Sequence, residues 1–310
     1  MSRETLLTTL KKFEEEPKIE IEKIKKEEIY TIMNDLNRSD FKFSKLHKSF
    51  LATKLYLFLL QKTFDNFPIS YFQGMMEIAA VLVDAYFQDK AASFRLKHKD
   101  SDEHAPPALK IGEISDKEKS MFEEFLASNL DLYNKFRNGL INILIEKFIF
   151  FTKDEFRNYN ENNKIFIKLM KDKFKRVIEP TASIKYMNHT LTFFKRIAGN
   201  SDVAFKFFNL VLNSDPSIVF SILAVYIDKV DHFNSARVTI TDENRNQYMV
   251  TSLEENDIRN IIGAQEMFLK CKSGMETDRQ SKSTYIFLGA AVGCAVLALL
   301  ISRWNDRDNK

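Results

Sequence analysis

The chain has 310 residues, 45% apolar and 29% charged, enough for one large core or two modest lobes. Its 46 basic and 43 acidic side chains leave a net charge of only +3, which argues against a dedicated nucleic-acid surface, so no nucleic-acid partner is expected. Two distant cysteines, Cys271 and Cys294, suggest neither a disulfide framework nor a zinc ligand set, and fit a reducing compartment.

The first residues, MSRETLLTTLKKFEEE, are charged from position 3 onward and lack the apolar stretch of a secretory signal. Strand alternation is nearly absent, and with 8 glycines and 6 prolines the chain reads as all-α. Ile29, Ile32, Met33 and Leu36 form one helical stripe, ending at Asn37-Arg38-Ser39. Ser44 suits the cap of the next helix, on which Leu46, Phe50, Leu57, Leu60 and Phe64 share a face. A helix after Gly74 carries Ile78, Val81, Leu82 and Ala85. Residues 89–114, with Pro106-Pro107, are polar and read as a mobile loop. Ser115 and Glu118 have capping-box spacing and open a long helical region toward Phe151; Thr152 and Glu155 repeat that signature. Pro180, Gly199 and Pro216 punctuate helices over about 183–198, 201–213 and 216–230. The polar run TDENRNQ precedes a last helix ending near Cys271.

The C-terminal region differs in character. Twenty uncharged residues, STYIFLGAAVGCAVLALLIS, lie between Lys282 and Arg303. At about 1.5 Å per residue they span roughly 30 Å, the thickness of a bilayer core. The expected organisation is a helical domain over 1–271, a polar linker over 272–284, a single membrane-spanning tail anchor over 285–302 and a charged tail over 303–310.

Motifs for the commoner chemistries are absent. The sequence has no GxxxxGK[ST], GxGxxG, HExxH or CxxC. His98 and His104, in the polar stretch, make only a weak metal pair, and no metal site is expected. Two short motifs remain. IMNDLNR (32–38) fits I-x-x-D-x-x-R, and YFQG (71–74) fits Y-x-Q-G, with Gln73 35 positions after Arg38. Singly, each has a plain structural account. Arg38 at a helix end would suit the last carbonyls, Asp35 would suit a solvated face, and Gln73-Gly74 would suit a turn.

In this order and separation the motifs resemble those of TBC-domain activators of Rab GTPases. LTFFKRIAGNSDVAFKFFNLVLNSDPSIVFSILAVYI (191–227) and NRSDFKF also look like the subgroup anchored in the endoplasmic reticulum. The likeness covers roughly residues 25–235 plus the anchor. It implies a two-lobed helical TBC domain that inserts Arg38 and Gln73 into a Rab partner, with Asp35, Tyr71 and Gly74 positioning them. The protein would then need no cofactor of its own, because GTP and Mg2+ would be bound by the partner GTPase. Its body would face the cytosol, and the Rab would act between the endoplasmic reticulum and the Golgi. The chain lacks the family's arginine–tryptophan element, and Ser39, Asp40 and Phe41 replace its Thr-x-Pro.

The chemistry is coherent with so few polar motifs. Phosphoryl transfer asks for positioning and charge stabilisation, which an arginine supplied in trans provides, worth about 10³–10⁵ in rate. A glutamine amide both donates to and accepts from the attacking water. A non-catalytic, membrane-tethered scaffold of the same shape is the alternative. A lumen-facing structural protein is a third, for which Asn37-Arg38-Ser39 and Asn188-His189-Thr190 would be sites of glycosylation.

Overall fold

A computed structural model describes residues 3–18, 31–32, 34–35, 50–65, 67–98, 114–178, 182–229 and 249–274. The described chain is all-α. Its helices are α1 (Arg3–Leu10), α2 (Phe50–Phe64), α3 (Met75–Lys97), α4 (Asp116–Ser128), α5 (Leu130–Ile143), α6 (Ile149–Asp172), α7 (Ala182–Leu191), α8 (Ser201–Leu212), α9 (Ile218–Lys229) and α10 (255–274). The only strand-like pairing among the described residues is one parallel bridge between Ala198 and Val250, which ties the segment leading into α10 to the turn after α7.

α3 is enclosed by its neighbours. Each residue from Met75 to Phe87 is buried, which places this helix inside the protein rather than on its surface. It touches α1, α2, α5, α8 and the short 3-10 turn Lys195–Ile197. The face expected from spacing is present, with Ile78, Leu82 and Ala85 fully buried and Val81 nearly so. On α2, Leu57, Leu60 and Phe64 likewise point inward. One hydrophobic cluster runs from Leu6 to Phe268.

Local chemistry sets the helix starts. Ser115 and Glu118 form a reciprocal capping box at the start of α4, as their spacing predicts. Asn200 caps α8 by accepting from the Val203 N–H. Asp215 accepts from the Ser217 N–H at 2.9 Å just before α9. A buried polar chain then locks α10 down: Ser221 donates to Gln265, whose amide donates to Ser217 at 3.0 Å.

Several sequence expectations are corrected. Residues 89–97 are not loop but the last turns of α3, because Phe87, Ala91 and Phe94 continue its buried stripe. Residues 99–113, the rest of that predicted loop, lie outside the described residues. The long helical region from 115 toward 151 is present as expected, in more than one piece. It breaks at Asn129 and passes through a π turn at Leu144–Phe148. Thr152 and Glu155 do not form a capping box. Thr152 donates to the Phe148 carbonyl at 3.4 Å, and Asp154, Glu155 and Phe156 take left-handed φ values of 52°, 53° and 62°. The helix expected over 183–198 stops at Leu191, where Phe193 and Phe194 turn left-handed. The last helix reaches 274 rather than ending near Cys271.

The charged N-terminus hides a core element. Leu6 and Leu10 of α1 are fully buried against α8 and α3. Arg3 donates to the Ala85 carbonyl at 2.6 Å, and Thr9 to Asn209 at 2.6 Å. Leu10→Ala is therefore expected to cost about 2–5 kcal/mol in urea unfolding. Thr8→Ala, on the exposed side, should stay within about 0.5 kcal/mol. Equal effects would remove α1 from the core.

Candidate functional site

The Y-x-Q-G segment forms the entrance to α3. Gly74 is the N-cap, with φ of 108°, a value side-chain-bearing residues avoid. Its own surroundings are less restrictive: a Cβ here would sit 3.5 Å from Thr192 Cγ2 and 3.7 Å from Phe148 Cε2. The glycine is thus required by backbone conformation more than by space. The turn it makes closes with the Met75 N–H donating to the Phe72 carbonyl at 3.1 Å.

Gln73, at the apex, is exposed, whereas Tyr71 and Gly74 on either side are buried. Among the described residues its amide makes no hydrogen bond. The neighbouring side chains anchor the turn instead. Phe72 packs against Phe148 at 5.6 Å and edge-on to Phe156 at 5.5 Å. Tyr71 meets Phe64 edge-on at 5.4 Å.

The Tyr71 hydroxyl donates to Asp35 Oδ2 at 2.7 Å, and both residues are buried. This bond joins the two sequence motifs across 36 positions. Burial first, then the Asp35 carboxylate and its hydrogen bond, with Glu77 also contributing, push the Tyr71 phenol far above its ordinary range. It therefore remains a donor at any physiological pH. Of the five predicted site residues, Asp35, Tyr71, Gln73 and Gly74 are brought together. Arg38 lies outside the described residues, three positions beyond Asp35.

A second wall of the site was missed from sequence. Glu77, one turn into α3, accepts on Oε1 from both Nε and Nη2 of Arg196, the former at 2.9 Å. Glu77 is nearly enclosed, its side chain 11% exposed, while that of Arg196 is 32% exposed. Glu77 was visible as the first acidic residue after Gly74, but nothing local signals a partner 119 positions away. His189 feels the charge of the same arginine. Burial, then the charge of Arg196, holds its imidazole down to about 4.

Among the described residues no group of three or more His, Cys, Asp or Glu side chains could hold a metal ion. His98 closes α3 with its ring 4.4 Å from that of Phe94, and His104 lies outside the described residues. A cavity of about 210 Å³ between α8, α9 and residues 249–253 is lined chiefly by apolar groups, including Phe207, Ile222, Val225 and Ile261, and contains no motif residue. Among the described residues no helix is long and apolar enough to cross a membrane; the predicted span 285–302 lies outside them.

Two stability measurements follow from this geometry. Tyr71→Phe removes a buried hydrogen bond to the Asp35 carboxylate and should cost about 1–3 kcal/mol, as should Gly74→Ala through its backbone conformation; chemical unfolding checks both, and neutral values would remove the bond and the turn from the account. For His189, the folded value of about 4 lies below the ordinary 6.5. Below pH 6.5 the unfolded chain therefore binds a proton that the folded chain refuses until about pH 4. Its contribution is complete above pH 6.5 and drains away between 6.5 and 4. His189→Gln should flatten stability against pH across that window; an unchanged slope would show that His189 titrates freely.

A protein of Encephalitozoon cuniculi (strain GB-M1), named as an uncharacterized membrane protein, is 26% identical over 261 residues, covering 81% of this chain and 80% of its own. No family model matches the chain, and no solved structure matches it.

Proposed function

We propose that the chain is an activator of a Rab-family small GTPase, of the two-lobed TBC type, that presents Arg38 and Gln73 to its partner's nucleotide. The observation that carries this is the buried Tyr71–Asp35 hydrogen bond, which ties the arginine motif to the glutamine turn, together with the exposure of Gln73 at that turn's apex. An activating side chain must project into another protein, so a catalytic glutamine belongs on the surface while its support is buried. Gln73 meets that condition, flanked by buried Tyr71 and Gly74.

In this reading Gln73 orients the attacking water through its amide, and Arg38 meets charge building on the phosphate oxygens. Asp35 and Tyr71 hold the two motifs at a fixed separation, and Gly74 allows the sharp exit. GTP and Mg2+ belong to the partner, and the chain supplies no titrating group. Attachment to an internal membrane such as the endoplasmic reticulum, through 285–302, is supported by the uncharged run in the sequence and by the membrane-protein name of the Encephalitozoon relative.

The test uses the full chain in lipid nanodiscs with a panel of GTP-loaded Rab proteins, following phosphate release. Wild type should accelerate at least one by about 10³-fold or more, and Arg38→Ala and Gln73→Ala should each remove about 10²-fold or more of that. Acceleration that survives both substitutions would sink the two-residue mechanism. Binding of a GTP-loaded Rab without any acceleration would point to the scaffold instead.

A further inference from the structure

The exposed Gln73 amide has no hydrogen bond among the described residues to aim it. Its direction is therefore set by the backbone of residues 72–75 and by whatever grips that backbone. One grip is Tyr71 on Asp35. The other lies on the opposite side of Gln73 in sequence, where Glu77 receives two donors from Arg196.

Arg196 is itself held with unusual firmness. It follows Phe193 and Phe194, two fully buried residues with left-handed φ of 47° and 62°. Bulky residues avoid this conformation and keep it only where packing dictates. Here the rings pack on Phe208 and Phe207, each at 5.3 Å. The turn also bonds back to the end of α7, with the Phe194 N–H donating to the His189 carbonyl at 2.7 Å. The same turn sets Thr192 beside Gly74, its hydroxyl donating to the Asn188 carbonyl at 2.6 Å. A strained segment thus delivers a methyl group to the glycine and a guanidinium to the first turn of α3.

We propose that Arg196, acting through Glu77, is a positioning residue for Gln73, clamping the first turn of α3 so that the glutamine leaves the fold at one angle. This rests on the reading of Gln73 as the water-orienting amide. The planar guanidinium matters, because two of its donors converge on one carboxylate oxygen and fix the orientation of both groups. A lysine would keep the charge and lose that constraint.

The experiment compares wild type, Glu77→Gln, Arg196→Met and the milder Arg196→Lys, all as full-length protein in nanodiscs. Amide hydrogen exchange is read over residues 72–78 and over α5 and α9, and kcat and KM are read on whichever Rab the wild type accelerates. Faster exchange confined to 72–78, with kcat down about 10- to 100-fold and KM within about twofold, is expected for Arg196→Met and Glu77→Gln. Arg196→Lys should fall between these and wild type. Unchanged exchange at 72–78 would overturn the proposal, and so would an increase spread equally over α5 and α9, which would mark the pair as general scaffolding. Faster local exchange with unchanged kcat would overturn it as well. If wild type accelerates no Rab, the catalytic reading of Gln73 fails, and the exchange data alone decide whether Arg196 holds the turn.

Discussion

The burial of α3 on every side is the constraint from which the other features follow. A helix with no solvent face from Met75 to Phe87 must have neighbours all round. The fold supplies them from distant parts of the chain, with α1 on one side and α8 on another. Charged groups on such a helix must be met by partners, since burying an isolated charge is costly. Glu77 is therefore paired with Arg196. Because the helix cannot tilt or slide without disturbing several neighbours, its N-terminus is a fixed point. Gln73 stands immediately before that point, so a side chain on the surface inherits the rigidity of the core.

What could be read from sequence was whatever depends on neighbours a few residues apart. The capping box at Ser115 and Glu118 needs only one turn of chain. The inward faces of α2 and α3 need only helical spacing, and both were legible. The continuation of α3 to Lys97 was also encoded, in the four- and three-residue steps Phe87, Ala91 and Phe94, but the polar residues between them masked it. The left-handed residues 154–156 were not legible, because nothing in Asp-Glu-Phe asks for that conformation. Tertiary packing selects it, with Phe156 drawn against Phe72. The hidden α1 failed for a related reason. Its two core leucines are the whole of its signal, and they are outnumbered by polar residues.

The candidate site divides the same way. Asp35, Tyr71, Gln73 and Gly74 were picked out by motif, and the turn at Gly74 was legible because a backbone free to turn is a local requirement. Glu77 with Arg196 is a long-range solution to a problem the motif creates, namely how to stop a glycine-started helix from fraying at its first turn. Glycine offers no side-chain cap, so stiffness has to be brought from elsewhere. Here it comes from a segment more than a hundred residues later, and such an arrangement leaves no local trace.

The place of α1 has a consequence for how the protein is made. Lys12, just past its end, donates to the Leu212 carbonyl, a contact spanning 200 residues. α1 meets α3 early, but its packing stays incomplete until α8 has followed it out of the ribosome. At ordinary rates of synthesis that wait is about 10–40 s. During it the faces of α1 and α3 that α8 covers remain exposed. A chain so arranged completes its core late, with apolar segments exposed in the meantime.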